Sequence, residues 1–359
     1  MARIDSFLRL VVEQRASDLH VRAGLVPMVR YCGEIHHLPF RALSQEEAAH
    51  LIDEVISAAQ REALGRAEEL DFAYELAGVG RFRAHAFVHA GGVGAVFRVI
   101  PMKVPRFDDL GLPPALKRLS HETKGLVLVT GPTGSGKSTT MAAMIREINE
   151  SSARHIITIE DPIEFVHENI KSFVTQRQVG LHAESFAAAM RSALREAPDV
   201  MVVGEMRDLE TMSLALTAAE TGVLVVATLH TRSTVGAIDR ILDTFPDDIR
   251  EHVRSTLSVA LKGAAAQHLC KGLDGESRYA AIEVLLQSYA VSHMIRENKV
   301  HQLEAHLQSP EHKDTGMQSM DVALVDLVQR GLVAPEEAAF AMSSPEAAER
   351  LLPKPANWE

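Results

Sequence analysis

Eight residues, Gly131-Pro-Thr-Gly-Ser-Gly136-Lys137-Ser138, satisfy the spacing G-x-x-x-x-G-K-[ST] in full. Glycines at this spacing let the backbone wrap a chain of phosphates with its N–H groups pointing inward. A lysine placed as Lys137 reaches the β- and γ-phosphates, and a hydroxyl placed as Ser138 can ligate Mg²⁺. The candidate nucleotide-binding residues are Gly131, Pro132, Thr133, Gly134, Ser135, Gly136, Lys137, Ser138 and the adjoining Thr139, together with Glu160 and Asp161 further along the chain, with ATP and Mg²⁺ as the ligands. A glycine-rich turn with a surface lysine would have the same letters but not the same context. Here an apolar run, residues 126–129, precedes the loop, and Met141, Met144, Ile145 and Ile148 behind it repeat as one helical face. The start of that helix adds positive potential where phosphates would lie.

Three other apolar runs end in polar groups. Residues 155–159 lead into Glu160, Asp161 and Glu164; residues 200–203 into Gly204 and Glu205; residues 224–227 into Thr228, His230 and Thr231. In an open parallel sheet, ligands gather at the carboxyl ends of the strands, so these groups are expected beside the phosphate loop. Hydrolysis needs a carboxylate near Mg²⁺ and another group to position the attacking water. Glu205 suits the first task, with Ser138 as the second metal-side residue, partly through water. Glu164 or Glu160 suits the second, and His230 can sense the γ-phosphate. The competing readings are a helix cap for Asp161 or Glu164 and a packed structural histidine for His230.

These groups need a scaffold. The chain has 359 residues, enough for two domains. Residues 1–100 read as one α/β unit: a helix, short strands near residues 19–22 and 28–31, and a helix opened by the capping box Ser44/Glu47 and running to about Ser57. Then Phe82, Ala84, Ala86 and Val88 alternate with Arg83, His85, Phe87 and His89, as on a two-faced strand. Gly91, Gly92 and Gly94 break the pattern before a strand over residues 95–100. Pro101, Pro105, Pro113 and Pro114 mark residues 101–120 as a linker. Residues 121–290 alternate buried runs with helical patterns, the signature of a parallel sheet with crossover helices. Residues 291–359 read as helical, with a tail holding Pro353 and Pro355.

Composition narrows the function. With 37 basic and 48 acidic side chains the net charge is −11, which argues against a nucleic-acid binder. The two cysteines, Cys32 and Cys270, form no C-x-x-C pair, so a cytoplasmic location is expected. Asp5, Arg9 and Glu13 interrupt the apolar positions of the first helix, so no signal peptide is read, and runs such as residues 223–227 are too short to span a bilayer. His85 and His89 have H-x-x-x-H spacing, but on a strand four residues span roughly 13 Å, too far to share a metal. The acidic stretch over residues 336–349 reads as a solvated face or subunit contact.

The motifs together resemble the PilT family of type IV pilus retraction ATPases, within the secretion-ATPase superfamily. They are Ala16-Ser-Asp-Leu-His20, Gly80-Arg-Phe-Arg83, Ala95-Val-Phe-Arg98, the phosphate loop, Thr158-Ile-Glu-Asp-Pro-Ile-Glu-Phe165, Ala193-Leu-Arg-Glu196, and the run from Gly204-Glu-Met-Arg-Asp-Leu-Glu-Thr211 through Ala227-Thr-Leu-His-Thr231. The resemblance implies an α/β chain with an N-terminal PAS-like domain and a C-terminal RecA-like P-loop ATPase domain, followed by a helical region. It implies a homohexameric ring that drives pilin filament disassembly and twitching motility. Such a ring would sit on the cytoplasmic side of the inner membrane, peripheral to a pilus platform protein, with a paralogous ATPase as a further partner. Glu164 would be the catalytic carboxylate and Glu205 the Walker-B-type residue. Arg83 and Arg98 match arginines that reach nucleotide across domain or subunit boundaries. The chain departs from the family pattern at Ala197, usually Asp, at Gly91, often Arg, and at Ser292-His293, where the family's C-terminal segment has Arg-Asn.

Two siblings compete with retraction. Pilus-assembly and type II secretion ATPases usually carry a longer N-terminal extension and a four-cysteine motif, and neither is present in this sequence. A third reading is a regulatory nucleotide-binding subunit that hydrolyses little and assists a true motor; Glu164 and Glu205 argue against it, while Ser292, His293 and Gly91 keep it open.

Overall fold

A computed structural model describes residues 3–31, 33–66, 68–100, 103–309 and 315–353. Cys32, Pro101 and Pro355 lie outside the described residues. The chain divides into two compact α/β units, residues 1–103 and 104–359.

The first unit holds α1 (Ile4–Glu13), β1 (Asp18–Arg22), β2 (Met28–Tyr31), β3 (Glu34–His37), α2 (Gln45–Asp53), α3 (Ala58–Gly65), β4 (Leu70–Leu76), β5 (Gly80–His89) and β6 (Gly92–Ile100). The strands pair antiparallel in the order β3-β2-β1-β6-β5-β4. Alternation along β5 holds through Ala86: Phe82, Ala84 and Ala86 are buried with Phe97, Leu19 and Val29 against Ile4, Leu8 and Val11 of α1. Val88, at the strand's end, is exposed instead. The opposite sheet face carries Arg83 directly across from Arg98.

Two expectations are corrected here. The helix from Ser44 stops at Asp53, because Ser57 forms a second capping box with Gln60 and opens α3. A strong N-cap within reach ends one helix and starts another. The glycines of the hairpin do not break β6, which begins at Gly92 rather than Ala95. A Cβ on Gly94 would lie 3.1 Å from the Phe87 ring and 3.2 Å from Arg22 Cγ, so glycine leaves room for the Arg22 guanidinium to sit 5.2 Å over that ring.

The second unit opens with α4 (Phe107–Leu110) and α5 (Pro114–Ser120). Residues 104–120, expected as linker, therefore carry two short helices whose Phe107, Leu116 and Leu119 are buried in this unit's core. Next come β7 (Gly125–Thr130), α6 (Lys137–Ser151), β8 (His155–Glu160), β9 (Phe173–Gln178), α7 (Phe186–Ala193), β10 (Val200–Val203), α8 (Leu209–Glu220), β11 (Leu224–Leu229), α9 (Thr234–Thr244), α10 (Asp247–Ala260), β12 (Leu261–Lys271) and β13 (Arg278–Leu286). The order is β13-β12-β7-β11-β10-β8-β9, parallel throughout except for the β12–β13 hairpin. All four apolar runs read from the sequence are strands here, fully buried at β7, β10 and β11 and over residues 156–159 of β8, since helices cover both faces. Strands β9, β12 and β13 were not expected. Helices α11 (Tyr289–Arg296), α12 (Gln302–Leu307), α13 (Met320–Gln329), α14 (Pro335–Ala339) and α15 (Pro345–Leu351) complete the unit. Among the described residues no helix is long and apolar enough to cross a membrane.

Candidate nucleotide site

Strand β7 ends at Thr130 and α6 begins at Lys137, so the loop between them lies at the carboxyl end of a central strand. Gly131 and Gly136 take φ of 148° and 87°. A Cβ on Gly131 would collide with the Gln267 carbonyl, and one on Gly136 would come 2.8 Å from Gln267 Nε2. The loop is thus laid directly on β12. Thr140 Oγ1 donates to Gln267 Oε1 at 2.8 Å, which ties the first turn of α6 to the same side chain. Thr130 Oγ1 lies 2.7 Å from Thr231 Oγ1 and accepts from the Thr231 backbone N–H at 2.9 Å, joining the ends of β7 and β11.

Lys137 folds back over the loop and is 9% exposed, its Nζ donating to the carbonyls of Gly131 at 2.8 Å and Pro132 at 3.0 Å. Burial pulls its pKa down, and the charges of Glu205 and Glu164 oppose that pull. A buried ammonium with carbonyl partners and two carboxylates at longer range is a site that an anion would stabilise. Ser135 Oγ, also buried, has no hydrogen-bond partner among the described residues. Both features fit a polyphosphate held in the loop. Ser138 and Thr139 are half-buried behind it, and Pro132, Thr133 and Gly134 form its exposed rim.

Glu205 follows β10 through Gly204, whose carbonyl accepts from the Thr228 hydroxyl. One carboxylate oxygen is held by Arg207 Nε at 2.6 Å and His230 Nε2 at 2.9 Å. Burial raises the Glu205 pKa, but the Arg207 hydrogen bond and His230 outweigh it, and the net shift is downward. Glu205 stays ionised and available to a cation. His230 is neither a packed core residue nor isolated: it is 42% exposed and paired with Glu205.

The two carboxylates proposed for positioning water separate clearly. Glu160 is drawn into hydrogen bonds with Thr158 Oγ1 at 2.6 Å and Gln176 Nε2 at 3.0 Å, and burial raises its pKa. Glu164 is exposed between buried Ile163 and Phe165. Asp161 is exposed and acts on the Arg207 guanidinium through its charge. The structure therefore brings the loop, Glu164, Glu205 and His230 together. Arg83 and Arg98 belong to the other unit, where Arg83 pairs with Asp71 at 3.6 Å and Arg98 Nε with Asp18 at 2.8 Å. Sequence reasoning missed Gln267, Thr130, Arg207 and Gln176. Arg207 alone had a signal, since it lies inside the Gly204–Thr211 run.

Residues 2–319 match the family model for Type II/IV secretion system proteins. The type IV pilus retraction ATPase PilT of Pseudomonas aeruginosa is 47% identical over 343 residues, 96% of this chain and 99% of that protein. The type IV pilus ATPase PilU of the same organism is 41% identical, over 93% of this chain and 87% of that one. A crystal structure of the pilus retraction motor PilT with bound ADP superposes with a TM-score of 0.90 at 45% identity, covering 98% of this chain and all of the other. A complete phosphate loop on a parallel sheet, acidic strand ends beside it and an end-to-end match to these proteins agree: the chain belongs to the Type II/IV secretion system protein family.

Proposed function

We propose that this chain is a Mg²⁺-dependent ATP hydrolase that assembles into a hexameric ring and drives type IV pilus retraction. The observation that carries the reading is the buried Lys137 ammonium, held inside a complete phosphate loop and felt by both Glu164 and Glu205. Lys137 binds the β- and γ-phosphates and neutralises charge that grows as the terminal phosphoryl leaves. Glu164, exposed and beside the loop, orients the attacking water and takes its proton. Glu205, kept ionised by Arg207 and His230, faces the metal side with Ser138. Mg²⁺, when bound there, supplies charge neutralisation across the phosphate oxygens. His230 links Glu205 to the Thr231 strand end and so couples phosphate occupancy to β11. Arg83 and Arg98 supply further positive charge across a domain or subunit boundary.

Retraction is favoured over assembly or secretion because the protein matched at 47% identity over nearly the whole of both chains is a retraction ATPase. The ring would act at the cytoplasmic face of the inner membrane, against a pilus platform protein and beside a paralogous ATPase. The test is phosphate release by the purified protein together with pilus-dependent motility of cells carrying Lys137→Ala. Loss of both supports the motor. Normal motility with a hydrolysis-dead protein favours an accessory role, the reading that the PilU likeness and the altered Ser292-His293 pair keep in view.

A further inference from the structure

Glu164 can act on a water only if its carboxylate keeps one position beside the phosphate loop. Its own segment does not provide that: residues 161–170 form neither helix nor strand. Ile163 and Phe165, each 6% exposed, turn inward on either side of Glu164 and leave it facing out. These apolar anchors fix depth but not direction. The Glu160 carboxylate takes the backbone N–H of Glu164, and the fastening of both that carboxylate and the far flank comes from Gln176 on β9, an edge strand of the sheet.

Gln176 Oε1 accepts the backbone N–H of His167 at 2.8 Å. Its Nε2 donates to the Phe165 carbonyl at 2.8 Å and to Glu160 Oε1 at 3.0 Å. An amide has two donor hydrogens and one acceptor oxygen, and all are engaged on the two flanks of Glu164. Strand register makes this possible: Gln176 stands opposite Thr158 of β8, whose hydroxyl donates to the same Glu160 oxygen at 2.6 Å. Two residues further along β9, Gln178 Oε1 accepts from the Ile163 N–H at 3.4 Å.

We infer that Gln176 is a positioning residue for Glu164: its side-chain amide holds residues 160–167 in one arrangement, so that Glu164 addresses the phosphate loop in a single direction. The inference rests on the reading of Glu164 as the hydrolytic carboxylate. Backbone groups outside a regular ladder turn to water or to alternative partners when their side-chain partner is removed. A displacement of about 1 Å at a reacting group can cost about a hundredfold in rate. The described hydrogen bonds of the Gln176 amide all go to residues 160–167 and none to the phosphate loop, so nucleotide affinity is independent of it.

The test uses full-length Gln176→Ala and Gln176→Met, the second keeping side-chain length without the amide, beside Glu164→Gln and the Gln176→Ala/Glu164→Gln double variant. The expected result is a kcat ten- to a hundredfold lower, with KM for ATP and affinity for a fluorescent ATP analogue within threefold. In the Glu164→Gln background Gln176→Ala should add less than about twofold, because the group it positions is already disabled. A loss that multiplies in that background, a change confined to KM, or wild-type kcat overturns the inference. So does failure of both single variants to fold and bind nucleotide, since Gln176 is then a general structural pin. If Glu164→Gln is slow while Gln176→Ala is normal, the inference alone falls. If Glu164→Gln itself turns over at the wild-type rate, the reading of Glu164 falls and takes the inference with it.

Discussion

In the proposed mechanism Lys137 and Glu164 contribute to different steps, and their variants would separate those steps. Lys137 is the buried cation inside the loop, and its hydrogen bonds there go to carbonyls. Lys137→Ala removes the charge that meets the phosphates, so phosphate release should fall at least about a hundredfold, in line with loss of one preorganised charge at a transition state. A rate near wild type would remove the assignment. Glu164 is exposed and shares no described hydrogen bond with the loop. Glu164→Gln should keep ATP affinity within threefold and lose turnover by about a hundredfold or more, because only positioning of water is lost. Titration with a fluorescent ATP analogue beside steady-state phosphate release separates the two. An affinity loss with normal kcat would move Glu164 from chemistry to binding.

His167, in the segment between β8 and β9, makes folding stability sensitive to acid. Burial, helped by the Arg146 charge, lowers the His167 pKa to about 4. Its unfolded value is about 6.5. Between those values the unfolded chain binds more protons than the folded one, so stability is full above about pH 6.5 and is lost as pH falls toward 4. At pH 5 the loss is about 2 kcal/mol. Thermal unfolding at pH 7 and pH 5 should show this drop, and His167→Phe should remove most of the difference between the two. An unchanged pH dependence in the variant would mean that other groups govern it. Helix α11 leads to a second expectation for an element. Val291 and Ile295 face the core, while His293 is exposed and stacks on Tyr289 at 6.4 Å between ring centres. Ser292→Arg with His293→Asn should therefore leave the ATPase rate within about threefold, under about 0.7 kcal/mol of barrier, yet change pilus-dependent motility. A large ATPase loss would assign the helix to the hydrolytic machinery.

Across the whole molecule, the residues proposed for hydrolysis belong to two units. The loop, Glu164, Glu205 and His230 belong to residues 104–359, whereas Arg83 and Arg98 belong to residues 1–103. Both arginines have carboxylate partners in their own unit, at Asp71 and Asp18, so their use at the phosphates requires exchange of those pairs. The half-exposed Arg83–Asp71 pair is worth little in water, so its exchange is inexpensive, whereas Arg98 would leave the buried Asp18 carboxylate to Arg30 and Ser17. If the arginines act between subunits of a ring, mixing Arg83→Ala or Arg98→Ala subunits with Lys137→Ala subunits should restore part of the activity, since some interfaces then combine an intact loop with intact arginines. Phosphate release across mixing ratios measures this. Mixtures that stay as inactive as their parents would rule out action between subunits.

The sequence by itself determined the phosphate loop, the strand before it, the helix behind it and three further core strands. Those features are local: a fixed spacing of glycines, a run of buried apolar residues, a helical repeat. Spacing alone left Glu160 and Glu164 as alternatives, and the family resemblance pointed to Glu164. Only the tertiary structure shows how their surroundings differ, because Ile163 and Phe165 turn inward and Thr158 and Gln176 capture Glu160. Strand β12 shows the limit most plainly. Its segment, Leu-Lys-Gly-Ala-Ala-Ala-Gln-His-Leu-Cys-Lys, is rich in alanine, the best helix former, and follows a helix without a break. Pairing with β7 and β13 overrides that propensity. The pairing places Gln267 under a loop more than a hundred residues earlier in the chain, and Thr231 against Thr130. Spacing along a chain encodes what neighbours in sequence can do, whereas strand order decides which distant side chains meet, and most of the support for this site comes from such meetings.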